Sequence, residues 1–196
     1  MTIRISKPAF NLREKITQLE GRVPFERMPV GSMMLIGRNT ASNITNISSN
    51  QSWTNIVGAD IEVHPRLASS LLEIHMNFTM EAQDYPNGIG FRIYRQLKYM
   101  SNIAGPAVKI YDNYQHSHWA TGLPDWSGPG TIILEVYDNP YSAVADVDGS
   151  VTTDVTTKGT SVYYYAQGYK ERGNNLYVNY GQDAEGLLVT VKEIRQ

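Results

Sequence analysis

The sequence predicts an all-β sandwich or jelly roll from Pro29 to Gln196, preceded by an arm over residues 1–28 that carries one short helix. Three observations predict it. Apolar residues recur with period two from Val30 onward, the pattern of half-buried strands. Turn signals such as Asp84-Tyr85-Pro86-Asn87-Gly88 and Asp138-Asn139-Pro140 punctuate these runs. The last segment alternates residue by residue: Leu187, Val189 and Val191 on one face, Leu188, Thr190, Lys192 and Ile194 on the other. The Leu187 set is apolar, so that face is expected to be buried.

The arm comes first. Asn11-Leu12-Arg13-Glu14 has the form of a capping box, Leu12, Ile16 and Leu19 follow at helical spacing, and Gly21 ends the run. A helix this short is marginal alone in water, so its stripe must dock on something. Either its own domain or a partner satisfies that need. Gly31–Gly37 is a short apolar strand. Residues 39–55 begin as an Asn/Ser/Thr-rich loop, after which Trp53–Val57 and Ile61–His64 are two further strands. The clearest strand is Leu71–Met80, with Leu72, Ile74, Met76, Phe78 and Met80 facing in. Ile89, Phe91 and Ile93 then alternate with Gly90, Arg92 and Tyr94.

Residues 96–130 break the rhythm. They hold Gly105-Pro106, Gly122-Leu123-Pro124 and Gly128-Pro129-Gly130, with short strands expected near Ala107–Tyr111 and His116–Ala120. Thr131–Tyr137 is a strand, residues 141–160 a long polar connection, and Val162–Gln167 a strand closed by the charged turn Lys170–Asn175. Eight or more short strands without an internal helix fit a sandwich or jelly roll. The lack of any fixed repeat weighs against propellers and β-helices.

Composition narrows the function. Seventeen basic and nineteen acidic residues, neither sign clustered, argue against nucleic-acid binding and against an electrostatic membrane anchor. No cysteine is present, which removes disulfides, thiolate metal sites and cysteine catalysis. The start of the chain lacks the apolar core of a secretory signal, so synthesis in a cytoplasm is expected.

The order of motifs resembles a family of virion proteins from tailed phages, especially marine and cyanobacterial ones. Pro29-Val30-Gly31 opens the first strand, and Pro65-Arg66-Leu67-Ala68-Ser69-Ser70 forms the turn into the long strand. Asp138-Asn139-Pro140 follows later, and the chain closes with Tyr177-Val178-Asn179 and Glu193-Ile194. Residues 5–15 also look like an N-terminal tag of phage structural proteins, whereas residues 96–130 are longer and more aromatic than the family pattern. The resemblance implies a jelly roll like the tumour-necrosis-factor and complement globular heads. It also implies a homotrimer carried on a tail or capsid beside other phage proteins.

Candidate chemistry is sparse. His116-Ser117-His118 has metal-ligand spacing, with Asp112 and Asp125 as possible third ligands, but no fixed third ligand accompanies the pair. Asp146-Val147-Asp148-Gly149 begins like a calcium loop, yet its twelfth position is Thr157 rather than glutamate. No metal or other cofactor is therefore expected. No nucleophile elbow, P-loop or zinc-protease motif occurs, and the chain is expected not to be an enzyme. The better candidate is an aromatic set interleaved with amides, carboxylates and imidazoles: Tyr111, Asp112, Asn113, Tyr114, His116, His118, Trp119, Asp125 and Trp126. Flat rings beside polar groups suit sugars, which offer C–H faces and hydroxyl edges. Packing on the domain itself or a trimer interface would use the same rings.

The expected function is that of a trimeric virion spike. Phe10, Leu12, Ile16 and Leu19 would dock it on the particle, and its loops would adhere to host surface polysaccharide. The alternatives are a capsid decoration or cement protein and a virion-associated carbohydrate-active enzyme.

Overall fold

The computed structural model describes residues 24–67, 69–82, 87–99, 103–114, 130–140, 161–173, 175–179 and 186–196. Among the described residues, a single 3-10 turn, Phe25–Arg27, precedes ten strands. These are β1 (Met33–Ala41), β2 (Thr45–Ile47), β3 (Ser52–Val63), β4 (Leu71–Ala82), β5 (Asn87–Tyr99), β6 (Ile103–Tyr114), β7 (Gly130–Asp138), β8 (Ser161–Arg172), β9 (Leu176–Val178) and β10 (Leu187–Ile194).

All the pairings are antiparallel, and they follow one rule. β1 pairs β10, β2 pairs β9, β3 pairs β8, β4 pairs β7 and β5 pairs β6. The chain is thus one long hairpin bent at the β5–β6 connection and rolled up, which is the topology of a jelly roll. Rolling adds the lateral pairings β10–β4, β9–β4 and β8–β5. The first sheet runs β1-β10-β4-β7, with β9 and β2 continuing beside the end of β4; the second runs β3-β8-β5-β6.

The core lies between the sheets. Leu72, Ile74, Met76, Phe78 and Met80 of β4 are buried, as are Leu187, Val189 and Val191 of β10, matching the alternation expected for both strands. Phe91, Ile93 and Leu97 of β5 and Val162, Tyr164 and Ala166 of β8 supply the opposite layer. Phe78 and Phe91 meet across the gap with ring centroids 5.2 Å apart.

Several elements differ from expectation for identifiable reasons. Trp53–Val57 and Ile61–His64 are one strand, because Gly58, at φ +80°, absorbs the register shift between Asn55 and Asp60. A Cβ on Gly58 would sit 2.2 Å from that of Ala41, so a side chain there would force β1 and β3 apart. β6 is twelve residues long instead of a short strand near Ala107–Tyr111. It is the edge of its sheet, where Pro106 costs no ladder hydrogen bond. β8 continues through Lys170–Arg172, which is strand and not turn. β2 lies within the stretch expected to be loop.

The helix expected after Asn11, with Phe10, Leu12, Ile16 and Leu19, lies outside the described residues, as does the expected strand near His116–Ala120. Within the stretch assigned to the arm, Phe25 is fully buried, so packing begins upstream of Pro29. The entry to β1 is tied to the C-terminus: the Gly31 amide donates to Arg195 O at 2.8 Å, and the Arg195 amide donates to Ser32 O at 3.0 Å.

Candidate functional site

Of the nine residues expected to bind sugar, Tyr111, Asp112 and Asn113 are described in full. Tyr114 ends β6 with its side chain outside the described set, and His116, His118, Trp119, Asp125 and Trp126 lie outside it altogether. The three described residues do not converge. They sit on a strand, and its pleat sends alternate side chains to opposite faces. Tyr111 packs half-buried on the core. Asp112 lies on the outer face, 3.0 Å from Arg92 Nε and 3.1 Å from Lys109 Nζ. Asn113 instead lines a cleft of about 300 Å³ between the sheets, with Met80, Ile89, Phe91 and Leu134. Asp112 and Asn113 therefore do not share one sugar site.

Among the described residues, no group of three His, Cys, Asp or Glu side chains could hold a metal ion. His116, His118, Asp146, Asp148 and Thr157 lie outside them.

The polar groups that the structure does bring together close one end of the sandwich. Glu193, Leu72 and Asp138 form one cross-strand row on the inner face of the first sheet. Asp138 is 4% exposed and sits opposite Arg95 and Tyr164 of the second sheet, both fully buried. Arg95 Nη1 donates to Asp138 Oδ1 at 2.8 Å, and the Tyr164 hydroxyl donates to Oδ2 at 2.8 Å. Burial pushes the Asp138 carboxyl above its ordinary value, against the pull of the Arg95 guanidinium and the Tyr164 hydroxyl. Glu193 is also fully buried. Its Oε1 accepts from the backbone amides of Arg66 and Leu67, each at 2.9 Å, and from the Ser70 hydroxyl at 2.7 Å. Two sequence motifs far apart in the chain, the Pro65–Ser70 turn and the terminal Glu193-Ile194, are thus one joint.

The two outer faces differ in chemistry. On the first sheet, Met33 and Leu35 of β1 and Ile133 and Tyr137 of β7 are 49–61% exposed. Between those edges the Lys192–Glu73 ion pair, at 2.7 Å, cancels its own charge. The second sheet instead presents aromatic rings set among paired polar groups. Tyr163 and Tyr165 project outward from β8, and Tyr94 of β5 stacks on Tyr165 with centroids 5.2 Å apart and planes 11° from parallel. Trp53 packs on Tyr169 at 4.9 Å, with the Arg92 guanidinium 3.7 Å above the indole. Gln167 Nε2 donates to Asn55 Oδ1 at 2.8 Å, and the Tyr163 hydroxyl donates to Asp60 at 3.1 Å. Burial and the nearby Asp60 push the Tyr163 phenol up to about 12. This outer face was not expected as a site. Its signal is Tyr163 and Tyr165 two apart on a strand, which places both rings on one side.

No protein-family model matches the chain, and no curated protein sequence matches it. Similar solved structures include the infectious bursal disease virus Gx strain (11% identity, TM-score 0.39), where the match covers 85% of this chain and 38% of that one. The VP2 subviral particle of infectious bursal disease virus matches at 9% identity and TM-score 0.40, over 85% and 38% of the two chains. Eiger TNF from S. frugiperda matches at 8% identity and TM-score 0.40, over 83% and 92%. The chain thus spans well under half of the viral chains it matches. These likenesses carry no argument about activity, and the jelly-roll assignment rests on the strand pairings themselves.

Proposed function

We propose that this chain is a non-enzymatic structural protein of a phage virion. In this reading it assembles as a homotrimer through the outer face of its first sheet and contributes to adhesion to host surface polysaccharide. Residues 1–28 serve as the arm that holds it on the particle.

The observation that carries the reading is the apolar rim of that face. In a solvated antiparallel sheet the outward positions should be polar, yet Met33, Leu35 and Ile133 stand 49–61% exposed there. Packing the rim against neighbours about a closed threefold axis removes this surface from water without leaving an open end. The motifs behind the phage resemblance also support a structural role. The Pro65–Ser70 turn and Glu193 make one joint, and Asp138 makes another with Arg95.

Light scattering of the intact chain tests assembly. The expected mass is three times 22.0 kDa, or about 66 kDa. Charging the rim with Leu35→Glu and Ile133→Glu together is expected to reduce it to a single chain. A wild-type monomer at micromolar concentration would overturn the trimer. Particles lacking the protein separate the roles: lost adsorption supports adhesion, whereas normal adsorption with fragile capsids supports cement. Shortening of host polysaccharide by the purified protein would overturn the non-enzymatic reading.

A further inference from the structure

We propose that the outer face of the second sheet, along β8 from Tyr163 to Tyr169, is a binding platform for an uncharged polysaccharide chain. The proposal gives the adhesion reading its ligand class, and rests on that reading only for the idea that the sugar belongs to a host surface.

Its position in the fold comes first. Outward positions of a solvated sheet are expected to be polar. Along β8 those positions hold Tyr163, Tyr165, Gln167 and Tyr169, and the neighbouring strands add Tyr94 and Trp53. The tract spans seven residues, roughly 20 Å from first to last at strand rise, which suits an extended ligand more than a compact one.

Charge then narrows the ligand. Among the described residues, the anionic side chains Asp60, Glu62 and Asp112 on this face are balanced by the cationic Arg92, Lys98 and Lys109, and Glu171, two positions past Tyr169 on the same outward period, adds a further carboxylate. Arg92 and Lys109 both lie against Asp112, and Lys98 pairs with Glu62. A nucleic acid or an acidic peptide would need a surplus of positive charge that this face lacks. The exposed aliphatic side chains Met33, Leu35 and Ile133, which suit a second copy of the chain, lie on the other sheet.

What is left over matches sugar. The Tyr94 and Tyr165 rings are half-buried, and their hydroxyls have no hydrogen-bond partner among the described residues. Each can donate to and accept from a sugar hydroxyl. Their surroundings are fixed in advance by the ring stack and by the Gln167–Asn55 and Tyr163–Asp60 hydrogen bonds. Little rotamer freedom is then lost on binding. Aromatic rings with a polar tip serve both the C–H face and the hydroxyl edge of a pyranose.

Affinity electrophoresis of the intact protein tests this, in native gels cast with dextran, amylose or a galactomannan, with heparin as the charged counterpart. At least one neutral gel is expected to retard the wild type. Tyr165→Ala and Trp53→Ala are each expected to raise the half-retarding polysaccharide concentration about tenfold, the scale of one lost aromatic contact. Because alanine there could loosen the sheet, the Tyr94→Phe and Tyr165→Phe pair keeps both rings and removes only the hydroxyls. It is expected to raise that concentration a few-fold at an unchanged melting temperature. Retardation by heparin alone, by none of the gels, or equally in all variants overturns the proposal. A trimer that is not retarded removes this platform and leaves the assembled spike standing; a retarded monomer does the reverse.

Discussion

Two carboxylates share one row of the first sheet, on either side of Leu72, and the fold buries them in different ways. Asp138 faces a buried cation and a phenol on the opposite sheet. Glu193 faces two backbone amides and a serine hydroxyl in the turn that leads into β4. The first is an ion pair that staples sheet to sheet. The second is a carboxyl oxygen that accepts from two backbone amides and a hydroxyl, and it staples a turn to the last strand. The difference matters because a buried charge that loses its countercharge is stranded, whereas amides in a surface turn can turn back to water.

The largest expected effect therefore falls on the ion pair. Asp138→Ala leaves Arg95 buried without its carboxylate and is expected to cost about 3–5 kcal/mol. Chemical denaturation at fixed protein concentration measures this, since assembly would make stability concentration-dependent. Replacing both partners, Arg95→Met with Asp138→Leu, is expected to recover most of the loss, because no uncompensated charge remains. A double variant as unstable as the single would show that the pair stabilises more than its packed volume does, and the contrast with Glu193 would have to be redrawn.

The turn comes next. Glu193→Ala removes the acceptor of three hydrogen bonds, but partial rehydration of residues 65–70 limits the cost to about 2–4 kcal/mol. Glu193→Gln keeps an acceptor oxygen and is expected to cost about 1 kcal/mol. Hydrogen exchange supplies the local signature: the Arg66 and Leu67 amides should exchange faster in the alanine variant, with β8 amides unaffected below global unfolding. Uniform acceleration across both sheets would mean that Glu193 acts globally, as Asp138 does.

This row also shows where sequence patterning stops. The alternation of β4 and β10 identifies their inward faces, because apolar residues at every second position have one economical arrangement. Arg95 follows Phe91 and Ile93 on that same inward period, yet a charge there looks like the end of the pattern. What makes the position tolerable is Asp138, forty-three residues away, and no local rule links the two. Glu193 is hidden in the same way by its partners in the 65–70 turn. The outer aromatic face is obscured differently. Tyrosines suit strands wherever they fall, so Tyr163-Tyr164-Tyr165 reads as a strand without revealing that Tyr164 is buried and its neighbours are outward. Tyr111–Tyr114 misleads for the opposite reason. Gly105-Pro106 resembles loop punctuation, but it lies within β6, and an edge strand tolerates such residues.

A third carboxylate sharpens the contrast by being exposed. Glu62, on the outer face of the second sheet, pairs with Lys98 and accepts from Ser161, and its side chain is 39% exposed. The hydrogen bond from Lys98, then that from Ser161, hold its carboxyl below the ordinary 4.5. A depressed folded-state value means that the contribution is present above pH 4.5 and is lost as pH falls through the lower, folded value. Water and salt screen the pair, so Glu62→Gln is expected to cost less than about 1 kcal/mol at pH 7. That small difference should shrink further in molar salt and vanish at strongly acid pH, whereas the cost of Asp138→Ala should survive molar salt, because ions do not reach a fully buried guanidinium. Denaturant midpoints of the two variants at low and high salt make the comparison. Equal salt sensitivity would mean that solvent reaches the Arg95–Asp138 pair, and the distinction between a buried staple and a surface pair would fail at its first premise.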